Sequence, residues 1–140
     1  MRNCALNMCI KNHTILHIAN ILILVYNTHQ GLFMETMEKL QKNGIFFNFD
    51  EIVYLCKKYF IKELSIFGSS IREDFTENSD VDILVSFQNN ADISLFDIMD
   101  LENEFSQLLQ KEVDIVEKES LKNPIREKEI LSTREIIYAA

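Results

Sequence analysis

Residues 64–87 read LSIFGSSIREDFTENSDVDILVSF, in which two apolar segments flank a glycine-serine turn and a polar loop. The apolar run before Gly68 is typical of a short strand, and glycine permits a turn that is too tight for a side chain. Apolar and polar residues then alternate over residues 80–87, which is the period of a half-buried strand. This alternation places Asp80 and Asp82 on one face at the start of the second strand.

Helical patterns precede and follow these two strands. From Asp50, which we expect to cap a helix, apolar residues recur at the spacing of one helical face. Residues 94–97, SLFD, have the form of a capping box and open a second amphipathic helix, expected to end near Gln110. Asn123, followed by proline, marks the start of a third helix, which we expect to continue toward Tyr138.

A third strand is predicted between the last two helices. Residues 112–116, EVDIV, alternate in polarity, so Asp114 lies on the face opposite Val113 and Ile115. The resulting order of helix, strand, strand, helix, strand and helix predicts a domain of the α/β or α+β class.

Three isolated acids in these strands need a compensating charge. Asp80, Asp82 and Asp114 each stand among apolar residues, and ionised carboxylates on one strand face repel each other. Taken singly, each acid would more often be a solvated strand end or a turn cap. Mg²⁺ would offset the repulsion of the whole set, since it prefers carboxylate oxygens and joins them to substrate phosphates. The combination favours a metal-dependent phosphoryl-transfer site, in which two ions about 4 Å apart clamp the reacting oxygens.

The turn at Gly68-Ser69 is the candidate phosphate site. Backbone amides and a serine hydroxyl in such a turn can point at phosphate oxygens, and Arg72 offers a planar donor fork three residues later. The chain contains no GxxxxGK[ST] segment, which excludes a P-loop.

Gly68-Ser69, ten further residues and then Asp80-Val81-Asp82 resemble the GS-x10-DxD signature of the nucleotidyltransferase superfamily with a DNA polymerase β-like palm. The wider segment 67–85 resembles the stand-alone minimal nucleotidyltransferases of bacteria and archaea. This resemblance covers about residues 50–137. It implies a small mixed β-sheet with helices packed mainly on one face, so that the opposite face stays open to the nucleotide.

The resemblance also implies a role for each candidate residue. Gly68-Ser69 would hold the nucleotide's phosphates, and Arg72 matches an arginine commonly seen after the turn. Asp80 and Asp82 would bind two Mg²⁺ ions. Asp114 would complete the metal site and draw a proton from the attacking hydroxyl, which attacks the α-phosphorus of ATP as pyrophosphate leaves.

Small free-standing members of this family resemble the antitoxins of toxin–antitoxin pairs. This resemblance implies that the chain adds AMP to a tyrosine of a cognate HEPN-type ribonuclease toxin. Two alternatives remain open. One is a small-molecule adenylyltransferase of the aminoglycoside-modifying type, although such enzymes usually carry an additional helical domain. The other is a non-catalytic antitoxin that neutralises its toxin by binding alone.

The charge of the chain limits its partners. Fourteen basic and 22 acidic residues give a formal net charge of −8, so we expect no direct binding of nucleic acid. Residues 1–33 contain Arg2 and Lys11 and no acid, whereas residues 34–140 carry a net charge of −10. An acidic body suits a basic RNA-cutting partner through complementary potentials.

This break in composition predicts an N-terminal extension at residues 1–33 and a minimal nucleotidyltransferase domain at residues 34–140. The extension is interpreted as disordered or as an upstream reading-frame extension before Met34 or Met37. His13 and His17 have the i, i+4 spacing of a helical metal pair, but the glutamate of the zinc hydrolase motif does not follow His13. Two histidines on a short apolar helix are the more common case.

Membrane and secretory signals are weak. The longest apolar stretch, Ile15 to Tyr26, is shorter than the roughly 20 residues that span a bilayer, and no small-residue cleavage site follows it. The cysteines at positions 4, 9 and 56 are odd in number and form no CxxC pair, which suits a reducing compartment. We therefore expect a cytoplasmic protein without a membrane segment.

Overall fold

The computed structural model of the protein describes residue 31 and residues 33–140. The chain divides into two compact units, Met1–Glu35 and Thr36–Ala140, and the second unit is described below. The predictions for the two histidines and for the apolar stretch near the N-terminus concern residues outside the described part. Within that part, no helix has the length and apolar character needed to cross a membrane.

Four strands form one mixed sheet in the order β3-β2-β1-β4. The strands are β1 (Ile61–Phe67), β2 (Val81–Phe87), β3 (Val113–Glu117) and β4 (Glu135–Ala139). β1 pairs antiparallel with both β2 and β4, whereas β3 runs parallel to β2. The three predicted strands are therefore adjacent in space, and the fourth lies on the other side of β1.

Helices precede and link these strands. They are α1, which is helical over residues 36–42 of this unit, and α2 (Phe49–Lys58), α3 (Leu95–Leu109) and α4 (Pro124–Thr133). Three predicted helix ends are confirmed: the capping box of Ser94 and Asp97, the C-cap at Gln110 and the N-cap at Asn123. The predicted cap of α2 at Asp50 is wrong. Asn48 is the cap, because its side chain accepts a hydrogen bond from the backbone amide of Asp50, which is already helical.

The main core lies on one face of the sheet, where α1, α2 and α3 contribute Leu40, Leu55 and Phe105. Val81, Ile83 and Val85 of β2 point into this core as their alternation predicts. On the other face, α4 packs Ile130 against Phe67 and Leu84. The predicted class, a small mixed sheet with helices mainly on one face, is confirmed.

The C-terminal segment corrects one prediction. The last helix does not continue toward Tyr138: it ends at Thr133, and Arg134 has extended backbone angles. The next five residues form β4 and pair with β1. The physical reason is the edge of β1, whose backbone groups need partners, together with a segment rich in β-branched and aromatic residues.

Candidate active site

Strand register brings three of the predicted residues to one end of the sheet. Phe67, the last residue of β1, pairs with Asp82 of β2, so Gly68 begins its turn beside that carboxylate. Asp82 in turn pairs with Asp114 of the parallel strand β3. Asp80 lies two residues before Asp82, immediately outside the strand.

The turn after β1 is a short 3₁₀ helix over Gly68–Ile71. Gly68 has a φ of +73°, which favours glycine. A Cβ atom built there would overlap the carboxylate of Asp82 and would lie 3.2 Å from its Cγ. The backbone of the turn therefore lies so close to Asp82 that only glycine fits at residue 68.

Hydrogen bonds hold this turn in place. The hydroxyl of Ser70 is buried and donates to the carbonyl of Phe67 at 2.9 Å, while the amide of Arg72 donates to the carbonyl of Ser69. The guanidinium of Arg72 donates to both carboxylate oxygens of Asp74, at 2.9 and 3.1 Å, and this pairing lowers the pKa of Asp74. The guanidinium of Arg72, the predicted phosphate donor, is therefore bound to Asp74 in the loop that follows the turn.

The electrostatics of the site centre on Asp82. Its carboxyl group is half-buried, and its pKa is raised first by burial and then by the negative charges of Asp114 and Asp80. The positive charges of Arg126 and Arg72 oppose this rise. Asp80 and Asp114 are both exposed. A bound cation would relieve the repulsion that raises the pKa of Asp82.

These carboxylates fit Mg²⁺ by donor chemistry. Among residues 33–140, no group of three acidic, histidine or cysteine side chains is arranged to hold a metal ion. Mg²⁺, however, usually takes only one or two protein carboxylates and completes its shell with waters and substrate phosphates. Asp82 and the paired Asp114 provide such oxygens next to the candidate phosphate turn.

Arg126 is a positive charge acting on the site that sequence reasoning missed. It lies in the first half of α4, the helix that packs on the face of the sheet opposite the main core, and its charge acts on Asp82. An exposed arginine in a polar helix carries no sequence signal of its own, so only the packing of α4 reveals it. A separate cleft of about 630 Å³ borders Asp80, but its walls include neither Gly68 nor Asp82.

A family model described as a nucleotidyltransferase domain matches residues 50–137, which is more than half of the chain. The chain belongs to the nucleotidyltransferase family. The matched range covers the turn at Gly68 and all three candidate aspartates, so the resemblance inferred from the GS-x10-DxD spacing is confirmed.

Two curated relatives of this nucleotidyltransferase are named as protein adenylyltransferases. “Putative protein adenylyltransferase MJ0126” of Methanocaldococcus jannaschii is 42% identical over 84 residues, which cover 60% of this chain and 82% of that protein. “Protein adenylyltransferase MntA” of Thermococcus cleftensis is 40% identical over 84 residues, covering 60% of this chain and 80% of that protein.

Solved structures show the same fold. A structure described as “putative minimal nucleotidyltransferase” is 29% identical with a TM-score of 0.53, covering 62% of this nucleotidyltransferase and 86% of that chain. A chain of a crystal structure described as a “toxin-antitoxin with AMP-PNP” is 19% identical with a TM-score of 0.55. The match covers 66% of this nucleotidyltransferase and 74% of that chain. The second likeness is one of fold alone.

Proposed function

We propose that this nucleotidyltransferase transfers AMP from ATP to a hydroxyl group, and that the acceptor is a tyrosine of a cognate HEPN-type ribonuclease toxin. The chain would then act as the antitoxin of that pair. The observation that carries the proposal is the strand register, which aligns the turn at Gly68 with Asp82 and Asp114. The names of the curated relatives support a protein as the acceptor, and the toxin–antitoxin description of a structural neighbour supports a toxin as that protein.

The turn and the carboxylates have separate tasks in this reaction. The phosphates of ATP lie over Gly68-Ser69, where the absence of a side chain at residue 68 lets the backbone of the turn lie against the carboxylate of Asp82. Asp114 is exposed and accepts the proton of the attacking hydroxyl. The hydroxyl oxygen bonds to the α-phosphorus, the bond to the bridging oxygen breaks, and pyrophosphate leaves.

Two Mg²⁺ ions are the proposed cofactors, held by Asp80, Asp82 and Asp114. When bound, they supply charge neutralisation for the phosphates and for the pyrophosphate that leaves. The raised pKa of Asp82 supports this assignment, because the causes of the rise include two neighbouring negative charges. Arg72 would contact phosphate only after leaving Asp74 or by sharing its donors.

The charge of the enzyme supports the proposed partner. Residues 34–140 are strongly acidic, which favours a basic toxin as the partner and disfavours direct binding to RNA or DNA. The proposed compartment is the cytoplasm, where a toxin–antitoxin pair that controls a ribonuclease would act.

One experiment tests the proposed reaction. The purified chain is mixed with α-labelled ATP, Mg²⁺ and the product of the adjacent gene, and the products are examined by intact mass and peptide mapping. A mass gain of AMP on a tyrosine of the partner, absent with Asp82→Asn, supports the proposal. Neutralisation of the partner without a mass gain would instead establish an antitoxin that acts by binding alone. Labelling of aminoglycosides but of no protein would establish the small-molecule alternative.

A further inference from the structure

We propose that Asn43 is a positioning residue of the nucleotide-binding turn; this inference rests on the proposed function. The side-chain amide of Asn43 donates to the carbonyl of Ser70 at 2.8 Å and to the carbonyl of Arg72 at 3.0 Å. Asn43 precedes the range 50–137 that the family model matches. A part of the chain outside the matched domain therefore holds the turn of the active site.

The end of α1 determines where Asn43 lies. Gly44 has a φ of +73° and donates to the carbonyl of Gln41, and Ile45 donates to the carbonyl of Leu40. These two bonds form a Schellman motif, in which Asn43 is the last residue before the left-handed glycine. Leu40 and Ile45 are both fully buried in the main core. The side chain of Asn43 thus projects from a helix end that is fixed by packing.

The two hydrogen bonds of Asn43 complement the bond made by Ser70. The hydroxyl of Ser70 ties the turn to the last residue of β1 from within the buried region. Asn43 ties the same turn to α1 by the carbonyls on either side of Ile71. Together the bonds of Asn43 and Ser70 restrain the backbone between Ser69 and Arg72, the two residues proposed to contact the phosphates.

Asn43 suits both carbonyls because of its side-chain donors. The amide of asparagine offers two N–H groups, whereas an ionised aspartate of the same size offers none and would repel the carbonyl oxygens. Loss of the amide leaves the bond from Ser70 in place, so we expect the turn to form but to sample more conformations. ATP must then order the turn as it binds, and this cost weakens its binding.

The test compares Asn43→Ala and Asn43→Asp in the full-length chain with Asn48→Ala. Asn48 is a matched control because it is also an asparagine beside a helix end, and its side chain caps α2. ATP binding with Mg²⁺ is measured by titration calorimetry, AMP transfer by KM and kcat, and stability by Tm. We expect both Asn43 variants to raise the Kd and the KM for ATP about tenfold, with a smaller change in kcat.

The control separates positioning from general destabilisation. Asn48→Ala should lower Tm without changing the Kd for ATP. Equal Kd values for the wild-type chain and both Asn43 variants would overturn the inference, as would an equal rise in Kd for Asn48→Ala. A wild-type chain that binds no ATP would overturn the proposed function itself. A wild-type chain that binds ATP and transfers AMP, with unaffected Asn43 variants, would overturn only the role of Asn43.

Discussion

Gly68 lies so close to the carboxylate of Asp82 that no Cβ atom fits between them. The two residues are 14 positions apart in the sequence, but Gly68 follows the residue that pairs with Asp82 across the antiparallel strands. The glycine of the GS-x10-DxD signature therefore meets two requirements, a positive φ and the close approach of the turn to a carboxylate.

Gly68→Ala should strongly reduce AMP transfer, because its Cβ would displace either the turn or the carboxylate of Asp82. The expected loss is at least about 10²-fold in kcat/KM, the scale seen when an active-site group is misplaced by about 1 Å. Rates of AMP transfer by the purified variant measure this effect. Activity equal to that of the wild-type chain would show that the site tolerates the displacement.

Gly44→Ala is the stability control for this variant. Both glycines have a φ of +73°, but a Cβ atom at Gly44 meets nothing within 4 Å. Gly44→Ala should therefore lower the free energy of unfolding by only about 1 kcal/mol, the cost of a left-handed alanine. Gly68→Ala should cost more, and chemical denaturation of both variants measures the difference.

Asp82→Asn should inactivate the enzyme and yet raise its Tm by a few degrees at neutral pH without Mg²⁺. The folded pKa of Asp82 is raised above its ordinary value of 3.8, so ionising this group destabilises the fold. Below pH 3.8 the group is protonated in both the folded and the unfolded states, and no gain is expected. The gain should appear as pH rises through the folded pKa. Thermal unfolding in chelator at several pH values measures it.

Asp97→Asn should have the opposite effect. Hydrogen bonds from Ser94 lower the folded pKa of Asp97, so its carboxylate stabilises the protein above pH 3.8 and loses that contribution as pH falls through the lowered pKa. This variant should have a lower Tm than the wild-type chain at neutral pH, with activity retained. A lower Tm in Asp82→Asn as well would contradict the electrostatic account of the site.

Asp114→Asn should lower kcat by about 10² to 10⁴-fold, the range for a lost general base. It should also lower the pKa of Asp82, because the charge of Asp114 contributes to raising it. NMR titration of the Asp82 carboxyl carbon measures the pKa, and AMP transfer measures kcat. Glu112→Gln is the control: Glu112 is an exposed acid at the residue before β3 and should change neither quantity appreciably.

Arg126→Gln should raise the pKa of Asp82 further, because the positive charge that opposes the rise is removed. The same NMR titration measures this shift, which should shrink at high salt. Lys128→Gln in the same exposed helix removes an equal charge and serves as the control. Identical shifts in the two variants would mean that net charge, and not the position of Arg126, is responsible.

A chain of residues 34–140 should retain ATP binding, whereas residues 50–140 should be strongly destabilised. The shorter chain lacks Leu40 and Ile45, which are both fully buried in the main core. Their burial is worth about 3 to 6 kcal/mol together, a large share of the stability of a typical domain. Circular dichroism and thermal unfolding distinguish the two chains. Equal Tm values would contradict the assigned core.

The strands β1, β2 and β3 and the positions of the candidate site residues had local signals in the sequence. Alternating polarity identified β2 and β3, and the spacing of Gly68 and Asp82 indicated the family. The boundary between α4 and β4 was not predictable in the same way. Residues 135–139 can continue a helical pattern, and their hydrogen bonding to the edge of β1 stabilises them as a strand.

The amino-acid sequence by itself determined the family, the order of most elements and the candidate residues Gly68, Ser69, Arg72, Asp80, Asp82 and Asp114. Turn chemistry and alternating polarity act over a few residues, so a single sequence carries them. Tertiary structure alone decided that Asn43 reaches the turn, that the charge of Arg126 acts on Asp82 and that β4 joins β1. These contacts join distant segments, and their free energy comes from packing that no local pattern records.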